Sequence, residues 1–355
     1  VSLNGNASGG GTYSITTLVF GGGNQSVSGT YSATTATFGG TGTKSVGNTT
    51  VSGAVTVNPG VSVVNPFTVA STLTVGGSLV NDGSVANNSA AFTVVANGNV
   101  TNNGSWTNST TDLNGAGTIV IGAGSSTTTS LTVNAARTVT SSAATVGGTW
   151  TVSSSGTLTI AAGVTFTKAA TLSNAGMIDG AGTLRIEGDV IGATGAFVIE
   201  TVFGGAGTRS ILSAVAITGN VTVAAGTQVV NQFTVARTLT VTGNFVNNGT
   251  LSNSSATFTI DVTGNVTNNG TWENGVTNLN LNGGTVVLNA GSVTTTNVNV
   301  NAGQTLSVAD APAGGTWTVA AAQTLTVSAV SWTQTGTVTN NGTVTSGGTV
   351  NFNGN

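Results

Sequence analysis

Thr263-Gly-Asn-Val-Thr-Asn-Asn-Gly-Thr-Trp272 has a twin in the same chain, Asn97-Gly-Asn-Val-Thr-Asn-Asn-Gly-Ser-Trp106. Each runs from a short Val/Thr segment through an Asn-Asn-Gly corner into another strand-forming segment. β-Branched residues favour a pleated, half-buried surface. Asn and Gly tolerate the left-handed backbone that sharp corners require. The stretch therefore reads as one corner of a coil, with left-handed Asn and Gly expected at the bend.

Longer matches surround it. Gly39-Gly-Thr-Gly-Thr-Lys44 returns as Gly204-Gly-Ala-Gly-Thr-Arg209, and Val63-Val-Asn-Pro-Phe-Thr-Val-Ala70 as Val229-Val-Asn-Gln-Phe-Thr-Val-Ala236. Gly148-Thr-Trp-Thr-Val152 returns as Gly315-Thr-Trp-Thr-Val319, at almost the same offset. This is a tandem internal duplication. Before it, Thr12-Tyr-Ser-Ile-Thr-Thr-Leu-Val-Phe20 is echoed at once by Thr30-Tyr-Ser-Ala-Thr-Thr-Ala-Thr-Phe38. The organisation is N-terminal coils over 1–38, a first repeat unit over 39–189 and a second over 190–355, read as one continuous structure.

Strand signals run throughout. Thr238-Leu-Thr-Val241, Thr157-Leu-Thr-Ile160 and Thr324-Leu-Thr-Val327 alternate with period two, so Leu, Ile and Val face inward and Thr outward. Strands are short and bounded by Asn-Gly, Gly-Gly or Ser-Gly; Gly9–Gly11 and Gly21–Gly23 read as corners. No segment carries helical periodicity with a cap and a stop. Short strands also build sandwiches and barrels. Turns without hairpin pairing, and equivalent corners at near-even spacing (Phe20 to Phe38, Asn248 to Asn269), favour an all-β fold, a parallel β-solenoid (β-helix). About 17 coils at roughly 4.8 Å would stack on a thin core of Val, Leu, Ile and Ala.

Composition removes whole classes of chemistry. With no His and no Cys among 355 residues, Ser-His-Asp and Cys-His nucleophile systems are excluded. Charged residues are 4% and the net charge is −3, so no basic face exists to neutralise phosphates and no nucleic-acid partner is expected. No apolar run reaches the roughly 20 residues of a membrane helix, and no membrane insertion is expected.

The acids are scattered. Asp179, Glu187 and Asp189 alone lie close together, beside Arg185; they make either an acidic pair, a weak calcium site or a solvated patch, and the patch is the preferred reading. Their counterparts in the other copy are Thr345, Asn353 and Asn355, so no repeated metal site is indicated. Lys44 becomes Arg209 in the second copy, which does not suit a lysine-specific role. Trp106, Trp150, Trp272, Trp317 and Trp332 offer either a sugar-stacking surface or core packing, and core packing is preferred. Thr-x-Thr pairs at Thr149, Thr157 and Thr165 recur at less than half a coil, so neighbours fall on different faces and an ice-binding array is not expected. No metal, cofactor or catalytic residue is expected, and the chain reads as no enzyme.

The ends share one phase. Val1-Ser-Leu-Asn-Gly-Asn6, Leu184-Arg-Ile-Glu-Gly-Asp189 and Val350-Asn-Phe-Asn-Gly-Asn355 align. Two chains placed head to tail would resume the pattern of the internal seam, and a longer repeat array that contains these residues has the same-phase ends too. Open solenoid ends template further strands and normally need polar caps.

The pattern of a strand, Gly-Asn-Val/Phe-x-Asn-Asn-Gly-Thr, a strand and Phe-x-Gly-x-Gly-Thr resembles repeat regions of bacterial cell-surface and secreted β-solenoid proteins, haemagglutinin-like adhesins and autotransporter passengers. The resemblance implies an exported, non-enzymatic structural or adhesive role and carries over no functional residue. The chain departs from autotransporters in showing no C-terminal membrane barrel.

The expectation is a structural subunit of an extracellular or cell-surface filament. Its partner is a further copy of itself, joined head to tail by end stacking or by strand donation from 1–6 or 350–355. The candidate interface is Val1, Ser2, Leu3, Asn4, Val350, Asn351, Phe352 and Asn353. The alternative is a monomeric adhesin or stalk module that binds glycans or surfaces.

Overall fold

A computed structural model describes residues 1–7, 12–27, 30–192, 194–254 and 256–354. The corner expected at Gly9–Gly11 and the terminal Asn355 lie outside these. All regular structure among the described residues is β-strand, and the strands stack in parallel as a β-solenoid. The chain divides into two compact units, Val1–Gly182 and Thr183–Asn355.

In the second unit one coil is three strands, Phe258–Val262, Val266–Asn268 and Thr271–Glu273; the next is Val276–Leu279, Gly284–Leu288 and Val293–Thr294. Each strand lies on its counterpart in register, Val262 on Leu279, Val266 on Val286 and Trp272 on Thr294. The alternation works as expected. Phe258, Ile260, Val262, Val266 and Trp272 are buried, while Thr259 and Asp261 between them are half-buried. A slip of one residue would turn every such set outward, so the apolar columns fix the register. Full burial of each Val or Leu is worth about 1.5–3 kcal/mol, and a coil collects it only from its neighbours.

The first unit repeats the plan. Phe92–Ala96, Val100–Asn102 and Ser105–Thr107 form a coil, followed by Thr110–Leu113, Gly117–Ile121 and Ser126–Thr127. Its first coils carry the Thr-Tyr-Ser repeat, with Tyr13 paired to Tyr31 and Phe20 to Phe38. Both ring pairs stack at 4.8 Å.

The corners differ from expectation. Among the described residues the one non-glycine with positive φ is Ala322, so the corner asparagines are not left-handed. Neither is Gly270 of the Asn-Asn-Gly corner. A Cβ there would lie 2.1 Å from the Gly249 carbonyl oxygen, and at its twin Gly104 2.0 Å from that of Gly83. Glycine is required because backbone passes over backbone. The left-handed glycines sit elsewhere, as at Gly40 and Gly205 (φ 71° and 73°) of the Phe-Gly-Gly turns.

The asparagines act through their side chains. Asn268 is buried; its Oδ1 accepts from Asn247 Nδ2 at 2.8 Å and from the Gly270 N–H at 3.3 Å, and its Nδ2 donates to Thr294 Oγ1 at 3.0 Å. The first unit has the same interior ladder, Asn81 to Asn102 at 2.8 Å and Asn102 to Thr127 at 2.9 Å. The Asn of Gly-Asn-Val ties coils from outside: Asn265 Oδ1 accepts from the Thr285 N–H and Asn99 Oδ1 from the Thr118 N–H, both at 2.9 Å.

Candidate functional site

The two expected end segments are strands, and each is paired on one side among the described residues. Ser2–Leu3 lies along Val19 and Phe20, with Val19 N–H donating to Val1 O at 2.9 Å and Gly21 N–H to Leu3 O at 3.1 Å. Val1 is 62% exposed, and Ser2 and Asn4 are exposed too. Thr349–Phe352 lies along Ser331–Gln334, Val350 opposite Trp332 and Phe352 opposite Gln334. The Asn353 N–H continues this pairing to Gln334 O at 2.8 Å.

Around Thr349–Phe352 a whole coil has an open inner face. In Thr337–Asn340, Thr343–Ser346 and Thr349–Phe352, the inward Val338, Val344 and Val350 are only half-buried. They lie on Trp317, Leu325 and Trp332, all fully buried. Beside them Phe352 is 62% exposed. At the same phase of the repeat Leu184 and Ile186 are fully buried. The face thus has the parity of a core and the exposure of a surface.

The tryptophans are core. All five are at most 1% exposed, so the tryptophans form no surface ladder for sugars. Trp150 packs on Phe166 and Trp317 on Trp332. The acids form no centre: Asp179 accepts from Thr159 Oγ1 at 2.6 Å, Glu187 pairs with Arg185 at 2.7 Å, and Asp189 accepts from the Ser210 N–H at 2.9 Å. Among the described residues no group of three or more potential metal ligands occurs. Thr151, Thr157 and Thr165 fall in three separate strands, and those of Thr151 and Thr157 pair with different partners. Outward hydroxyls do align across coils, Thr72 with Thr93 and Thr110, but Val95 and Asp112 interrupt the neighbouring row.

Two features were not expected. The first is that Lys44, Arg137, Lys168 and Arg209 are buried, each directing its charge at backbone carbonyls. Lys44 Nζ donates to Gly22, Gly23 and Thr41. Lys168 Nζ donates to Gly148 at 2.5 Å and Gly147 at 3.3 Å. Arg137 donates to Gly98 and Ala96, and Arg209 to Gly204, Thr208 and Ala206. These side chains tie down corners whose carbonyls face inward. Burial pulls the Lys168 ammonium down to about 8 and lowers that of Lys44. In the second copy Gln304 and Gln334 take the places of Arg137 and Lys168, and Gln334 Nε2 likewise donates to a carbonyl, Gly315 O at 3.0 Å. The role needs a long donor and no charge.

The second is an apolar loop present once in each unit. The coil step that pairs Thr49 with Leu73 is longer than the next, which pairs Leu73 with Val94. The extra residues project as Pro66-Phe-Thr-Val-Ala70, with Val69 72% exposed. In the second unit Phe233 and Val235 are exposed by 39% and 56%. Both loops hang on a buried Asn. Asn65 Nδ2 donates to Val69 O at 2.9 Å and its Oδ1 accepts from the Phe67 N–H at 3.1 Å; Asn231 repeats both bonds, to Val235 O and from Phe233, at the same distances.

No family model, curated protein or solved structure matches the chain.

Proposed function

We propose that this chain is a structural subunit of an extracellular filament, polymerising head to tail through its open solenoid ends. One observation carries the reading. The coil 337–352 presents Val338, Val344, Val350 and Phe352 on a face whose counterparts one coil below are fully buried. A face of that kind suits cover by another coil of the same parity. Val1–Asn6 and Val350–Asn355 share a phase, so a second copy supplies such a coil. The contact is heterologous and propagates without closing. The low charge, the repeat style and the all-β core suit an exported scaffold with a structural rather than catalytic role. Sedimentation over a concentration series tests the reading: mass that grows with concentration supports it, and a monomer at every concentration removes it.

A second reading has its own observation. The loops at 66–70 and 232–236 keep the same Phe-Thr-Val-Ala in both copies while exposing it, which suits an adhesive module that grips apolar surfaces.

A further inference from the structure

We infer that the two units open in order, the first before the second, because the first holds two more buried cations than the second. The order is set inside the coils and is independent of what meets the ends of the chain.

The duplication makes each unit the control for the other. Lys44 and Arg209 are counterparts; both are buried and both bond corner carbonyls, so their charges offset in the comparison. Arg137 and Lys168 have neutral counterparts. Arg137 lies on Gly117 as Gln304 lies on Gly284, and Lys168 on Val146 as Gln334 on Ala313. All four side chains are buried. The neutral pair makes the same kind of bond, Gln304 Nε2 to Leu281 O at 2.5 Å and Gln334 Nε2 to Gly315 O at 3.0 Å. The corner that receives it keeps its backbone, with φ of 67° at Gly148 and 68° at Gly315. Buried side-chain atoms without a partner do not tip the balance, because among the described residues they are shared evenly between the units.

A buried charge with no opposite charge beside it is costly, and bonds to neutral carbonyls offset only part of that cost. Among the described residues the one ion pair is Arg185 with Glu187, so no carboxylate stands within ion-pair reach of Arg137 or Lys168. Arg137 donates to Gly98 and Ala96, and Lys168 to Val146, Gly147 and Gly148, all neutral. Solenoid stability is a sum over neighbouring coils, so the cost stays local and falls on the coils from Ala96 to Lys168. These are the point of first opening, and their counterparts from Val262 to Gln334 hold longer. Alkali narrows the gap. Burial pulls Lys168 to about 8 and Lys44 in the same direction, so raising the pH above 8 discharges them in the folded chain and relieves the first unit.

Thiol labelling in the full chain tests the order. The chain has no Cys, and Val152 and Val319 end the same Gly-Thr-Trp-Thr-Val segment in the two units, both fully buried. Val152→Cys and Val319→Cys are therefore equal and nearly isosteric reporters, one in each set of coils. In urea at pH 7 the Val152→Cys thiol is expected to react at least about tenfold faster than the Val319→Cys thiol. At pH 10 the two rates are expected to converge. Arg137→Gln with Lys168→Gln, which copies the second unit, is expected to make them equal at pH 7. Gln304→Arg with Gln334→Lys is expected to speed Val319→Cys and leave Val152→Cys as it was. Equal rates in the parent at pH 7, or a faster Val319→Cys, would overturn the order. A gap that survives the paired Gln substitutions would show that the cations do not set it. If that variant does not fold, the parent alone still decides, because a gap unchanged at pH 10 overturns the same claim.

Discussion

Asn247 donates its side-chain amide to Asn268 Oδ1 at 2.8 Å, inside the core and one coil away. Asn268 passes the ladder on to Thr294. A buried amide group left unmatched costs about 1–3 kcal/mol, and between Asn247 and Asn268 the matching is made by neighbouring coils. Asn268→Leu leaves the Asn247 amide, the Gly270 N–H and Thr294 short of a partner. The expected loss is about 2–4 kcal/mol in urea unfolding. A double-mutant cycle with Asn247→Ala is expected to show coupling of about 1 kcal/mol or more.

Gly104 separates two explanations of corner glycine. Its φ is not in the left-handed range, but a Cβ would lie 2.0 Å from Gly83 O. Gly104→Ala is expected to cost about 1–3 kcal/mol or more. At Gly23, which also lacks positive φ, a Cβ meets nothing within 4 Å. Gly23→Ala is expected to stay within about 0.5 kcal/mol of the parent chain. Thermal unfolding of the two variants reads the difference.

Lys168 makes stability depend on alkaline pH. Its ammonium is pulled from 10.5 to about 8 by burial, so the unfolded chain holds this proton more tightly. The cost of the buried charge is full below pH 8 and is relieved as pH rises from 8 towards 10.5. The gain is about 3 kcal/mol at most. Lys168→Gln, which copies Gln334, is expected to abolish that rise and to be neutral or stabilising at pH 7. Urea unfolding at pH 7 and pH 10 checks both.

The exposed loops carry the adhesive reading. Replacing Val69, Phe233 and Val235 with Ser is expected to change unfolding free energy by less than about 0.5 kcal/mol per site. If the loops grip apolar surfaces, the triple variant loses retention on an alkyl-coated surface; equal retention would contradict that use.

Much of this architecture was legible in short stretches. Thr238-Leu-Thr-Val241 stated its own facing, and Leu239 and Val241 are buried as it required. The twin Asn-Asn-Gly segments located the corners but not their mechanism, because glycine serves close backbone approach and positive φ alike, and a sequence does not distinguish them. The buried cations had a readable signal. Lys44, Arg137 and Lys168 stand two positions from Val46, Val139 and Phe166, at inward parity. The habit of placing charge outside hid this, and only the carbonyls at the corners explain it. The projecting loops were written as an identical Phe-Thr-Val-Ala in both copies, but their exposure came from extra coil length, which shows only once the strands are paired.

The most direct test of the filament is electron microscopy of the purified chain at micromolar concentration, imaged beside Phe352→Asp. A head-to-tail filament gives unbranched fibres with an axial repeat of one chain length for the parent and single particles for the variant. Parent particles that never exceed one chain, at any concentration, would contradict it.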